Sequence, residues 1–143
     1  MTNAELAQKL RDLRDYLIIA GYEESHAARY SHIAHSIEAM PEPVEQMRRE
    51  GRLKEIPQVG KLIQLYIKEI LDTGVCSKQR DWEGHTPYSV IEMLRVPGLG
   101  PRTARVLFEG FGLKSLAELK YANGVGQLND VLSEKLRKAI ADA

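Results

Sequence analysis

Two segments forty residues apart share one backbone pattern, and together they constrain the fold more than any other feature of the chain. Leu53–Lys61 reads LKEIPQVGK and Met93–Pro101 reads MLRVPGLGP. Each contains aliphatic-Pro-x-aliphatic-Gly. Proline ends a helix because it pushes the residue before it out of the helical region. Glycine tolerates a positive φ and allows another backbone to come close. The aliphatic residue between them plugs the core, and an amphipathic stretch follows each glycine. Both segments therefore predict a helix, a tight turn and a second helix.

The rest of the chain is predicted to be helical too, with no alternating stretch that reads as a strand. Thr2 and Glu5 form a capping box, and Leu6, Leu10, Leu13 and Leu17 follow at helical spacing until Gly21. A second helix is predicted over Ser25–Met40. Pro43 starts a short third helix, and Gly51 stops it. A fourth runs over Lys61–Asp72 and ends at Gly74. Residues 75–85 lack periodicity and read as a connection. Thr86 with Pro87 then predicts an N-cap followed by an N1 proline, and Pro101 opens another helix, which ends at Gly110 and Gly112. Ser115 with Glu118 forms a second capping box, and the last helix spans Leu128–Ala141. The expected fold class is all-α, in two small packed helical subdomains over residues 1–80 and 81–143.

The repeated turn is the signature of a helix-hairpin-helix motif. Its second helix starts with amides pointing outward, which attract phosphate through hydrogen bonds and the helix dipole. Charge placement agrees locally, although the chain as a whole is neutral, with 20 basic and 20 acidic residues. Residues 48–68 hold Arg48, Arg49, Arg52, Lys54, Lys61 and Lys68 against Glu50 and Glu55, a net of +4. Residues 95–108 hold Arg95, Arg102 and Arg105 and no acid. The first forty residues are net −2. The expected phosphate-binding residues are Val59, Gly60 and Lys61 in the first hairpin, and Gly98, Leu99, Gly100, Arg102, Thr103 and Arg105 in the second. Such contacts carry no base identity, so the expected binding is sequence-independent, salt-sensitive and confined to one face. The second copy is the cleaner; the first has Gln58 where a glycine is usual.

Other chemistry is poorly represented. Cys76 is the single cysteine, which excludes an internal disulfide and fits a reducing cytosol. No apolar run approaches the roughly 20 residues of a membrane helix, and the N-terminus does not read as a secretory signal. A cytoplasmic protein is expected, nucleoid-associated if bacterial, with no membrane partner. His32 and His35 share a helix face without carboxylate or cysteine support, so no metal site is expected there. Trp82 and Tyr88 flank the connection, where packing between the two halves is favoured over base stacking. Tyr30 and Tyr66 read as core.

These motifs resemble the N-terminal region of bacterial-type family X DNA polymerases, a lyase domain followed by a DNA-binding subdomain. The residues that carry the resemblance are Ala28-Arg29-Tyr30, Met40-Pro41-Glu42, Gly51–Lys61, Leu71–Gly74, Leu94–Pro101 and Phe111–Leu119. The resemblance covers about Asn3 to Ile140. It implies a place in DNA repair and puts a phosphate-contacting group at His26. It also implies Na+ or K+ at the carbonyls of Lys54, Ile56 and Val59, and of Leu94, Val96 and Leu99, with no obligatory cofactor. DNA in duplex, gapped or nicked form is the expected partner, together with a separate nucleotidyltransferase or repair protein.

The departures from the family set the expected function. The Schiff-base lysine position falls at Tyr66, which cannot form an imine, and a phosphate lysine position falls at Leu62. Lys61 is the residual lyase candidate; Lys68 lies about 200° around the helix from Tyr66. No Asp-x-Asp pair occurs in the 143 residues, so two-metal phosphoryl transfer has no ligands. The Met1 start favours a free-standing module over a fragment. Three readings follow: a non-enzymatic DNA-backbone binder, which leads; a protein-interaction module that kept the fold and lost DNA; and an abasic-end lyase with a displaced lysine.

Overall fold

Thr2 starts the first helix by a reciprocal cap. Its hydroxyl accepts from the Glu5 amide at 3.1 Å, and the Glu5 carboxylate accepts from the Thr2 amide at 3.2 Å. These contacts hold the Glu5 carboxyl below the usual carboxylate range. In the computed structural model, which describes residues 1–143, nine α-helices and no strand follow from this start. They are α1 Asn3–Ile19, α2 Glu24–Ala39, α3 Val44–Arg49, α4 Lys61–Thr73, α5 Ser77–Glu83, α6 Tyr88–Glu92, α7 Pro101–Arg105, α8 Leu116–Gly124 and α9 Glu134–Asp142. Single 3-10 turns, Leu53–Glu55 and Met93–Arg95, precede the two hairpins, and a π-helical turn over Val106–Gly110 prolongs α7. The chain is all-α. No helix is long and apolar enough to cross a membrane.

The buried side chains form two cores. The first gathers residues from Leu6 to Cys76, including Leu10, Leu13, Ile33, Ile37, Met47, Ile56 and Ile67. The second gathers Val90, Met93, Val96, Leu107, Leu119, Leu128 and Ile140, together with Tyr16 and Ile19 from α1. Helix α1 therefore supplies both: Leu6, Leu10, Leu13 and Leu17 face α2 and α4, whereas Tyr16 and Ile19 face α6 and α7. Each fully buried aliphatic contributes about 1.5–3 kcal/mol of transfer free energy. Polar clamps fix the helices further. The Asn3 side chain donates to the Glu42 carbonyl and accepts from the Val44 amide, both at 2.9 Å, tying the start of α3 to α1.

Four local expectations are corrected. Residues 77–83 are helical, although the sequence there shows no apolar period, because only Gln79 of that helix is buried. Trp82 instead anchors α5 through edge-on contacts to Tyr22 and His85, with ring centroids 5.8 and 5.7 Å apart. Pro87, with ψ 148°, is the N-cap of α6 and not its first helical residue, and the buried Thr86 hydroxyl meets His85 Nδ1 at 3.0 Å. Pro43, with ψ 134°, stands in the same relation to α3. The last helix starts at Glu134, capped by the Ser133 hydroxyl on the Leu136 amide. Residues 125–131 form turns, from which Leu128 reaches the core without helical periodicity.

Candidate nucleic-acid interface

The two hairpins have the same backbone. Gln58 and Gly98 are left-handed, with φ 67° and 86°. Gly60 and Gly100 are extended N-caps, with φ −84° and ψ −174° in one and φ −93° and ψ 173° in the other. The positive φ thus falls on the residue after the proline, not on the closing glycine. Val59 and Leu99 are buried and plug the helix pairs. Their amides donate back to the Ile56 and Val96 carbonyls at 3.2 and 3.1 Å. Both amides are thus engaged within the turn itself.

The donors that remain lie just beyond. The amides of Gly60, Lys61 and Leu62, and of Gly98, Gly100, Arg102 and Thr103, donate to no acceptor in the protein. Pro101 occupies the first position of α7, where it has no N–H to leave unpaired. A Cβ added at Gly60 or Gly100 would meet nothing within 4 Å. The fold itself does not need glycine at either cap, and each cap leaves its amides open to a group from outside. The glycines were legible in the sequence; the free amides needed the backbone.

The cations are arranged differently from the expectation. Arg48 pairs with Asp72, with Nη2 to Oδ2 at 2.9 Å. Arg52 is held by Glu42, Glu50 and Glu55 at 2.8, 2.7 and 2.9 Å. Two of the six cations in the +4 window are therefore neutralised by carboxylates, two of which, Glu42 and Asp72, lie outside that window. Arg49, Lys54, Lys61 and Lys68 keep no ionic partner and are exposed. In the second hairpin Arg102 reaches across to Glu24 of α2 at 2.5 Å, and Arg105 pairs with Glu109 at 3.2 Å. Both line a cavity of about 800 Å³ between the α1–α2 turn and α7, with Glu23 and Tyr22 on its wall.

His26 lies in a second cationic neighbourhood. Its ring stacks on Tyr22 with centroids 5.4 Å apart, and Lys78 sits 5.0 Å from the centre of the same tyrosine. Arg29 Nη2 approaches His26 Nδ1 at 3.5 Å, and Nε2 is buried without a partner. Burial first, then the Arg29 and Lys78 charges, lower the His26 pKa. Lys78 was not apparent as part of this group, because α5 showed no periodicity that would place it.

Residues 1–76, more than half of the chain, match the family described as helix-hairpin-helix domain. The chain belongs to that helix-hairpin-helix domain family. The match includes the first hairpin, and the second lies outside it. DNA polymerase lambda of Arabidopsis thaliana is 35% identical over 85 residues, which is 59% of this chain and 15% of that protein. The chain thus spans well under a fifth of that relative's length. The helix-hairpin-helix region resembles the N-terminal region of family X polymerases, as the sequence motifs imply.

Within this helix-hairpin-helix chain, the position where the resemblance places an imine-forming lysine is buried. Tyr66 is 7% exposed, and burial raises its pKa. Leu62 and Leu65 instead face solvent, 56% and 50% exposed. Lys61 is exposed as well and lacks the burial that activates an amine nucleophile. The carbonyls of Lys54 and Val59, and of Leu94 and Leu99, accept no hydrogen bond, while those of Ile56 and Val96 each accept one from the turn.

Proposed function

We propose that this chain holds DNA by its sugar-phosphate backbone, without regard to base sequence, through both hairpins, in the setting of DNA repair. The observation that carries this reading is the pair of amide sets without acceptors, Gly60, Lys61 and Leu62 in one hairpin and Gly98, Gly100, Arg102 and Thr103 in the other. A phosphate oxygen accepts well from such amides, and the partial positive charge of a helix start adds to the attraction. Lys61 supplies charge beside the first set, and Arg102 and Arg105 beside the second. His26, with Arg29 and Lys78, supplies a third cationic point. In each hairpin the carbonyls of Lys54, Ile56 and Val59, and of Leu94, Val96 and Leu99, would hold Na+ or K+, whose charge would strengthen the adjoining phosphate contact. The relative's printed name, a DNA polymerase, supports DNA as the partner.

The test is fluorescence anisotropy on gapped, nicked and intact duplexes across a salt titration. With about two phosphates per hairpin, log K falls against log salt with a slope of roughly −3 to −4, at equal strength for unrelated sequences. A flat dependence, or no binding at low salt, overturns the reading. A second reading, a protein-interaction module, draws on the exposed Leu62 and Leu65 beside the first hairpin. It is supported if the Gly98→Val/Gly100→Val variant leaves DNA affinity unchanged. Lyase chemistry through Lys61 would require a borohydride-trapped adduct on a 5′ abasic end.

A further inference from the structure

The second hairpin has a neighbour far away in sequence. Leu136 of α9 lies 3.9 Å from where a Gly98 Cβ would stand. Pro97, Gly98, Ser133, Lys135, Leu136 and Ala139 wall a cavity of about 350 Å³ between the turn and the start of α9. No carboxylate is among its walls, whereas the cavity that Arg102 and Arg105 of α7 line carries Glu23, Glu24 and Glu109. Lys135 is exposed and has no ionic partner, and neither has Lys138 one turn further along the same face. Arg137, by contrast, is engaged with Asn129 at 3.1 Å. Arg102 and Arg105 face the acidic cavity, and Arg95 lines another cavity with Asp12, Asp15 and Glu92, so the cation on the carboxylate-free wall beside Gly98 is Lys135.

We propose that this groove takes the sugar-phosphate backbone of a bound strand, which runs from the Gly98 and Gly100 amides onto α9, with Lys135 neutralising one phosphodiester. The apolar walls of Leu136 and Ala139 suit the deoxyribose face, and a lysine beside them can lay its stem on apolar surface while its ammonium stays in water. The inference rests on the DNA-binding reading above and adds a contact that the hairpin pattern does not contain. Sequence reasoning had no signal for it, because α9 is brought to the hairpin only by tertiary packing.

The experiment is the same salt titration on Lys135→Gln, with Lys114→Gln, beyond the far end of α7, as the control. Loss of one phosphate contact lowers the magnitude of the slope by about 0.9 and weakens binding roughly five- to ten-fold at 0.1 M salt. Lys114→Gln keeps the wild-type slope. Acetylation footprinting read by mass spectrometry gives an independent signal: Lys135 is protected in the complex and Lys114 is not. If Lys135→Gln keeps the wild-type slope and Lys135 stays reactive while the wild type binds, the groove proposal is overturned and the hairpin reading stands. If the wild type binds no DNA at low salt, both fall.

Discussion

Gln58 and Gly98 occupy the same left-handed position in the two hairpins, at φ 67° and 86°. Glycine enters that region without steric cost, whereas an L-residue pays about 1–2 kcal/mol because its Cβ crowds the following carbonyl. The first hairpin therefore keeps its shape against local strain, held by Ile56 and Val59 in the core beneath it. The departure from glycine at this site changes the energy of the turn and leaves its geometry intact.

Exchange at this pair has opposite signs. Gln58→Gly is expected to stabilise the chain by about 0.5–1 kcal/mol, the relief of strain exceeding the added chain entropy. Gly98→Ala is expected to destabilise by about 1 kcal/mol, through the backbone alone, since 3.9 Å to Leu136 is an ordinary contact. Urea denaturation of the three proteins measures both; a stabilised Gly98→Ala would contradict the assignment.

Tyr16 carries a hydroxyl into the second core with no hydrogen-bond partner, in a side chain that is fully buried. Tyr16→Phe removes the unpaired donor and keeps the ring. The expected gain is about 1 kcal/mol, at the low end of the cost of an unsatisfied buried group. Thermal denaturation shows it as a higher Tm, and a lower Tm would reveal a partner for the hydroxyl.

Glu24 holds Arg102 in an ion pair, and on the proposed reading a DNA phosphate would compete for the same guanidinium. Glu24→Gln is expected to raise DNA affinity for all sequences alike and to steepen the salt slope, while Arg102→Glu weakens binding uniformly. Both side chains are more than half exposed, so neither change moves the urea midpoint appreciably. Anisotropy with two unrelated duplexes checks the uniformity.

On the proposed reading, His26 is expected to couple pH to both stability and binding, with opposite signs. Its folded pKa is lowered by burial, then by Arg29 and Lys78. Below the ordinary histidine value the unfolded chain takes up the proton more readily, so stability falls as pH drops through that window and is fully present above it. A phosphate beside His26 favours the charged ring, so DNA affinity rises over the same fall in pH. His26→Gln is expected to flatten both trends in paired titrations between pH 7.5 and 5.5, and an unchanged affinity trend would remove His26 from the interface.

The all-α architecture was legible because its signals are local. Thr2 with Glu5, Pro101 after Gly100, and Gly74 at φ 86° each act within one turn of chain. Both hairpins were legible for the same reason. Charge was less so: counting along the chain assigns Arg48 and Arg52 to a basic window, yet Asp72 and Glu42 reach them only in the folded state. The turn of Arg102 toward Glu24, 78 residues away, and the placing of Lys135 beside Gly98 likewise depend on tertiary contacts. Helix α5 was not legible because aromatic contacts of Trp82 and hydrogen bonds from Ser77 and Arg80, and not a buried stripe, hold it in place.

Helix α1 lends side chains to both cores, and this gives the molecule the character of a fixed-gap caliper. The amides of α4 and α7 are mounted on parts that share α1 as a common member, so their separation is set by how the two cores pack on that helix. On the proposed backbone-binding reading, a duplex would have to present its phosphates at that spacing, and bends or breaks in the strand would change whether it does. Selectivity on that reading would come from the shape of the nucleic acid, with no base being read.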